Sequence, residues 1–155
     1  MTTRRQFLII ASGALVHPAQ AQVPPNIAAL RQAALEAAIR EVTGGAPLRG
    51  GRVKLDVPPL VDNGNTVPLA VTVESPMTEA DHVKAIHVFT EKNPQPKVIG
   101  VHFGPRAGRA QLATRARIAD TGSVIAIAHM SDGSFWTDRV EVVVTLSACL
   151  EEGLI

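Results

Sequence analysis

The chain has 155 residues, one cysteine and a formal net charge of +1. Hydrophobic residues make up 46% and charged residues 19% of the chain, which excludes a disordered protein and predicts one domain with a substantial core. The near-neutral charge argues against a nucleic-acid partner. No apolar run reaches the roughly 20 residues that span a bilayer. A single cysteine excludes an internal disulfide and every metal site built from several thiolates.

Residues 1–21 have the features of an export signal. Arg4 and Arg5 precede a short apolar stretch, and Ala19 and Ala21 occupy the two small-residue positions that precede a cleavage site. The paired arginines are typical of a twin-arginine signal. We therefore expect export to the periplasm, with no membrane insertion once the signal is removed.

A helical segment is predicted within residues 22–47. Asn26 is a suitable N-cap, and the apolar residues from Ile27 to Val42 recur at spacings of three and four, as on one face of an amphipathic helix. Gly44 and Gly45 end this pattern and predict the C-terminus of the helix.

Residues 48–147 consist of short apolar runs separated by turn residues. The predicted strands are Arg52–Val57, Val67–Glu74, Val83–Thr90, Lys97–Phe103, Ala110–Ile118, Val124–Met130 and Val140–Cys149. Pro58 to Asn65 is interpreted as a turn-rich connection, and Asp132 with Gly133 as a hairpin turn. Because strands do not alternate with helices, the pattern predicts a mainly β, immunoglobulin-like sandwich of about seven strands.

The sequence contains few motifs that are typical of catalytic, phosphate-binding or metal-binding sites. It has neither a Gly-rich phosphate loop nor a GxSxG nucleophile motif. His82 and His87 are five residues apart, and on a strand this odd spacing would put them on opposite faces. A blue-copper site needs two His, one thiolate and a weak axial ligand such as Met, yet neither His nor Met follows Cys149. We expect no metal and no cofactor.

Cys149 is the remaining candidate for chemistry. On the predicted last strand it shares the more polar face with Glu141, Thr145 and Ser147. A thiol in that position can be an exposed nucleophile, or it can be a small half-buried side chain without chemistry. An unpaired cysteine is unfavourable in an oxidising compartment, so its presence suggests that it has a function. The spacing leaves both interpretations open.

Three stretches of the chain resemble the SoxY family. They read DNGNTVPLAVTVES, VKAIHVFTEKNPQPKVIGVHFGP and TRARIADTGSVIAIAHMSDGSFWTDRVEVVVTL, and the resemblance runs from about Ile27 to Cys149. SoxY is the sulfur-carrying subunit of the bacterial thiosulfate-oxidising Sox system. The resemblance implies a periplasmic immunoglobulin-like sandwich that forms a heterodimer with a SoxZ-like all-β subunit and serves Sox-type periplasmic enzymes. It also implies covalent sulfur attachment at Cys149, on a C-terminal arm of residues 148–155, in a carrier rather than an enzyme.

The arm differs from the glycine-rich arm of the SoxY family. Ser147 and Ala148 precede Cys149, and the sequence LEEGLI follows it. Because Ser and Ala restrict the backbone more than glycine does, we expect a stiffer arm than a glycine-rich one. The six added residues would obstruct insertion of the thiol into a narrow site. Glu151 and Glu152 disfavour the thiolate and repel anionic sulfur groups. Three hypotheses follow: a carrier that uses Cys149, a divergent SoxY-like partner-binding sandwich without carrier chemistry, and an unrelated exported binding domain or enzyme.

Overall fold

The computed structural model describes residues 26–146, which form one helix and nine strands. The helix, α1, spans Ile27–Thr43. The strands are β1 (Leu48–Arg49), β2 (Val53–Asp56), β3 (Leu60–Val61), β4 (Val67–Val73), β5 (Val83–Thr90), β6 (Lys97–His102), β7 (Gln111–Ala116), β8 (Gly122–Met130) and β9 (Phe135–Val144). This part of the chain contains no helix that is long and apolar enough to cross a membrane.

The strands form two sheets. The larger has the order β1-β9-β8-β5-β6, with β3 also paired to β9, and the smaller has the order β2-β4-β7. β1 and β3 run parallel to β9 and pair with its beginning and its end, whereas the other neighbouring strands are antiparallel. The mainly β sandwich predicted from the sequence is therefore confirmed.

The main core lies between the two sheets and follows from the alternation of apolar residues. In β4, Val67, Leu69, Val71 and Val73 are all buried, and the residues between them are exposed or half-buried, as a strand with one core face requires. The large sheet contributes the inner side chains of three strands: Ile86 and Val88 of β5, Val124, Ala126, Ala128 and Met130 of β8, and Val142 and Val144 of β9.

A second, smaller core explains why β5 and β8 are buried on both faces. Helix α1 lies on the outer face of the large sheet, where its Leu35 belongs to a buried cluster. The sheet residues of that cluster are Phe89, Ile125, Ile127 and Phe135. The C-terminal half of the helix contributes Ala38, Ile39 and Val42 to the same contact.

The predicted helix boundaries are confirmed, but its apolar face is only partly used. The Asn26 side chain accepts a hydrogen bond from the Ala28 N–H (3.1 Å), and Gly44 adopts the left-handed conformation (φ 62°) that ends many helices. In contrast, Ile27 and Leu30 of the predicted apolar line are 56% and 47% exposed. The N-terminal half of α1 therefore adds little to the core.

Both ends of the last strand differ from the sequence prediction. The last strand begins at Phe135 rather than Val140, because the tight turn at Gly133 (φ 82°) places Phe135 opposite His129 in a continuous antiparallel ladder. It ends at Val144, two residues past Val142, which pairs with the first residue of β8. Of the predicted continuation to Cys149, Thr145 and Leu146 lie beyond the strand, and residues 147–149 lie outside the described residues.

The contribution of α1 can be tested at Leu35. Leu35→Ala should lower the free energy of unfolding by about 2–5 kcal/mol, because it removes a side chain that is 4% exposed from the second core. Leu30→Ala changes the same residue type on the same helix where it is 47% exposed, and should cost about 1 kcal/mol or less. Urea unfolding of both variants measures the difference, and equal losses would contradict this packing.

Candidate functional site

Cys149, the sulfur attachment residue predicted from the sequence, lies outside the described residues, which end three positions earlier at Leu146. The structure does, however, define the chain as far as Leu146. The candidate site is therefore built from the end of β9 and from the segments that hold it.

The end of β9 is held by a short parallel strand. Leu60 of β3 is the register partner of Val143, and Val61 is the partner of Val144. The Val143 N–H donates to the Pro59 carbonyl (2.9 Å), and the Thr145 N–H donates to the Val61 carbonyl (2.9 Å). β8 pairs with one edge of β9 as far as Val142, and β3 pairs with the opposite edge at Val143 and Val144.

Beyond the strand, the loop that follows β3 continues these contacts. The Leu146 N–H donates to the Asp62 carbonyl (3.2 Å), and the Leu146 carbonyl accepts from the Gly64 N–H (3.1 Å). The Gly64 carbonyl in turn accepts from the Ile118 N–H (2.8 Å). The loop has a fixed shape, because the Asn63 side chain accepts from the backbone N–H two residues later (2.9 Å). Both backbone groups of Leu146 are thus bonded.

A threonine hydroxyl secures the other side of β9. The Thr121 hydroxyl accepts from the Val144 N–H (3.0 Å) and donates to the Val144 carbonyl (3.4 Å). Thr121 lies directly before β8, so the chain is fastened on both sides at the point where it leaves the sandwich. The position and direction of the chain are therefore defined as far as Leu146.

From the sequence, Pro58 to Asn65 is interpreted as a turn-rich connection, and its pairing with the end of β9 is not predicted. The missed signal is the apolar pair Leu60 and Val61, enclosed between two prolines and a turn sequence. A two-residue strand leaves no periodicity to detect, and its partner lies more than 80 residues away along the chain. Only the fold brings the two segments together.

Three large aliphatic residues near the end of β9 are exposed. Leu60 is 60%, Val143 48% and Leu146 68% exposed, and each is a large aliphatic residue. Leu60 and Val143 are register partners on adjacent strands, and the Leu146 backbone bonds the loop that follows Leu60.

The histidines occupy a different part of the molecule. His82 lies just before β5, where its Nδ1 is 3.0 Å from the Thr78 carbonyl. His87, His102 and His129 lie on three adjacent strands of the large sheet, and the rings of His87 and His102 are 6.1 Å apart. Within residues 26–146, no group of three or more His, Cys, Asp or Glu is arranged to hold a metal ion.

Two of these histidines have lowered pKa values. Burial lowers the pKa of His87, which is 8% exposed, and the nearby charges of Lys97, His102 and His129 lower it further. Burial and Lys84 likewise lower the pKa of His129, against an opposing effect of Asp132. Both side chains therefore favour the neutral form in the folded protein.

Asp81 and Glu91 form ion pairs with neighbouring basic residues. Asp81 makes an ion pair with Arg52 (3.2 Å), which fixes the loop before β5. Glu91 makes an ion pair with Lys92 (2.7 Å) and accepts from the Ser123 hydroxyl (3.1 Å), and Lys92 is the largest cause of its lowered pKa. Both contacts connect neighbouring strands and loops on the protein surface.

A shallow groove lies on the outer face of the small sheet. Its volume is about 350 Å³, and its lining includes Pro58, Pro68, Ala70 and Ala113, with Asp56 as the acidic residue. The small side chains give this face a flat surface. The lining contains no histidine, cysteine or lysine, and its polar side chains are those of Asp56 and Thr114.

Comparison with known proteins points to one family. The family model described as sulfur oxidation protein SoxY matches residues 39–149, which is most of the chain and ends at the single cysteine. A search of curated proteins finds no match.

Solved structures with a similar fold include a protein of the same description. The sulfur carrier protein SoxY from Chlorobium limicola f. thiosulfatophilum is 25% identical with a TM-score of 0.62, over 74% of this chain and 98% of that protein. A superoxide reductase (neelaredoxin) from Ignicoccus hospitalis is 20% identical with a TM-score of 0.54, over 61% and 80% of the two chains. A putative superoxide reductase from Thermotoga maritima is 20% identical with a TM-score of 0.52, over 64% and 89%. The likeness to the two reductases shows a shared fold alone.

The role of Thr121 at the end of β9 is testable. Thr121→Val keeps the shape of the side chain but leaves the Val144 N–H without its partner, and should lower the free energy of unfolding by about 1–3 kcal/mol. Thr121→Ser retains the hydroxyl and serves as the matched control, with a smaller loss. Hydrogen exchange of the Val144 amide should accelerate in the valine variant. Unchanged exchange and stability would contradict the proposed contact.

The buried histidine predicts a dependence of stability on pH. Because the pKa of His87 is lowered from 6.5 in the folded state, the unfolded chain binds protons first as the pH falls. The free energy of unfolding should therefore decrease as the pH falls through about 6.5 toward the pKa of the folded protein. His87→Gln should reduce this slope in urea titrations between about pH 7.5 and pH 5.5. A parent protein whose stability is constant over this range would contradict the prediction.

Proposed function

The chain belongs to the SoxY family of sulfur oxidation proteins, and from this membership we propose that it is a periplasmic carrier that holds sulfur intermediates covalently on Cys149. In this proposal the protein presents the bound sulfur group to Sox-type periplasmic enzymes during the oxidation of thiosulfate or related compounds. Those enzymes perform the chemistry, and the chain itself is a carrier subunit rather than a catalyst.

The family match is the observation that carries the proposal. It covers residues 39–149 and so includes the only cysteine of the chain at its final position. The solved SoxY from Chlorobium limicola is described as a sulfur carrier protein, and 98% of it is covered. A carrier that binds sulfur covalently needs a nucleophilic sulfur atom, and Cys149 is the one thiol available.

The described contacts support a carrier with a fixed base. Hydrogen bonds to Asp62 and Gly64 anchor Leu146, so the position from which the chain continues toward Cys149 is constant. Cys149 follows Leu146 by three residues, and a fully extended chain of that length spans about 11 Å. A group attached to this thiol would therefore be presented near the end of the sandwich.

The attachment step has a defined electron balance. Joining the Cys149 thiol to the outer sulfur of thiosulfate forms one S–S bond, releases one proton and removes two electrons. An electron-accepting redox enzyme must therefore take part when thiosulfate is the donor. Tetrathionate can load the same group without an oxidant, because the thiolate displaces thiosulfate from it by exchange.

Family membership supports the proposed partner, and the sequence of residues 1–21 supports the proposed location. We propose a SoxZ-like all-β subunit as the heterodimer partner. The twin-arginine pattern at Arg4 and Arg5 supports export to the periplasm, and a partner without its own signal could be carried along in a folded complex.

A second function is favoured by the residues around the cysteine. Ser147, Ala148 and Leu150 replace the glycines that the family resemblance leads one to expect, and Glu151 and Glu152 add negative charge. These changes favour a divergent SoxY-like sandwich that binds a partner without carrying sulfur. The two functions differ in whether Cys149 is ever modified.

Intact-mass measurement separates the two functions. Purified protein treated with tetrathionate should gain one thiosulfate-derived group, Cys149→Ser should gain none, and thiosulfate without an oxidant should leave both unchanged. Protein isolated from thiosulfate-oxidising cells should carry a sulfur adduct that Cys149→Ser lacks. If the parent protein carries no adduct in such cells although tetrathionate modifies it, the carrier function is wrong and the partner-binding function stands.

A further inference from the structure

Strand β7 forms an edge of the small sheet. It pairs with β4 along all six of its residues, and no other strand of the described part of the chain lies beside it. Its register with β4 is regular, and its sequence, QLATRA, contains neither proline nor glycine. Prolines and bulges are common means by which natural sheets prevent pairing at an edge. β7 therefore keeps the geometry that an added strand needs.

The ladder between β4 and β7 shows which backbone groups lie on the open side. The Val73 N–H donates to the Ala110 carbonyl (2.9 Å), and these residues are opposite each other when the register is extended by one residue. Hydrogen-bonded pairs alternate along an antiparallel ladder, so every second residue from Leu112 bonds to β4. The residues whose N–H and carbonyl groups point away from β4 are Gln111, Ala113 and Arg115. None of these backbone groups has a partner within residues 26–146.

The other edges of the two sheets are obstructed or short. In β2, the Leu55 N–H donates to the Asp138 carboxylate of β9 (2.8 Å). In β6, Val98 has no register partner in β5, where the pairing register shifts, and such a bulge hinders the addition of a strand. The opposite edge of the large sheet consists of β1 and β3, which have two residues each. In the described part of the chain, β7 is therefore the longest regular edge that remains open.

Positive charge accompanies this edge. Arg115 lies in β7, Arg109 lies two residues before it and Arg117 directly follows it, and all three are exposed. Neither Arg109 nor Arg115 belongs to an ion pair of the described residues. No Asp or Glu occurs between Gly104 and Ala119, and β4 carries no charged side chain. A second copy of β7 would bring like charges together, whereas an acidic segment is attracted.

We propose that β7 binds an extended acidic segment of a partner protein, which joins the three-stranded small sheet as a fourth strand. The outward backbone groups of β7 hold the segment by hydrogen bonds, and Arg109 and Arg115 select for carboxylates. The surface belongs to the small sheet, whereas the chain toward Cys149 leaves from β9 of the large sheet. The inference therefore goes beyond the carrier function and needs no sulfur chemistry.

A fluorescent peptide of about ten residues, in which valine and glutamate alternate, is the probe. It should bind the full chain saturably in fluorescence anisotropy, and its affinity should fall as salt is added, because exposed charges are screened. The same peptide with lysine in place of glutamate should not bind. A glutamate peptide with N-methyl groups on two adjacent central amides keeps its charge but is blocked on both edges. It should bind at least about fivefold more weakly.

Substitutions in β7 test the edge itself. Ala113→Pro removes an N–H that points away from β4, so no bond to β4 is lost, and should weaken peptide binding at least about fivefold. Ala113→Ser retains the N–H and should bind like the parent. Arg115→Glu should also weaken binding at least about fivefold, because attraction becomes repulsion. Arg40→Glu reverses an exposed charge on α1, beyond the large sheet, and should leave binding unchanged.

Hydrogen exchange locates the bound peptide. In the free protein, the amides of Gln111, Ala113 and Arg115 should exchange rapidly, and the peptide should slow them at least about tenfold. The amides of β6 should not change. Circular dichroism and urea unfolding show which variants are folded, and if Ala113→Pro is not, Arg115→Glu and the N-methylated peptide decide the result.

Three results would overturn the proposal. The first is equal binding of the glutamate, lysine and N-methylated peptides. The second is an oligothymidylate that binds as tightly as the glutamate peptide, since the arginines would then serve a nucleic acid. The third is slow exchange of the three β7 amides in the free protein, since the edge would then be covered by the chain itself or by a second copy. The carrier function is read from the sulfur adduct in cells, so the failure of either proposal leaves the other intact.

Discussion

The parallel pairing of β3 with the last two residues of β9 is the contact on which the candidate site depends. Without it, β9 would extend past the end of β8 with no neighbour, and the direction of the following chain would be undefined. With it, Leu146 has both backbone groups bonded to the loop of Asp62 and Gly64. A carrier group needs a fixed base and an accessible end, and this pairing provides the base.

The rest of the fold supports that base. The sandwich core holds β9 through Val142 and Val144, while α1 covers the other face of the large sheet through Leu35. Backbone groups in an interior must be paired, so the edge of β9 could not stay open beside this core. The two short strands β1 and β3 fill the beginning and the end of this edge.

Most of the architecture could be predicted from the sequence because it follows from local patterns. Strict alternation identified β4, and the Asn26 cap and Gly44 marked the ends of α1. The pairing of β3 could not be predicted, because two residues carry no periodicity and their partners are remote in the chain. The same holds for the neighbouring histidines, since only the register of three strands places His87 near His102 and His129.

The site prediction had a different basis. The choice of Cys149 combined elimination, since other chemistry was missing, with the resemblance to SoxY, and the family match now includes this residue. Peptide mapping of protein isolated from cells supplied with thiosulfate labelled in its outer sulfur tests the central claim most directly. We predict that the label is covalently attached to the peptide containing Cys149 and is released by a thiol reductant. Label that is absent from this peptide while the cells oxidise thiosulfate would contradict it.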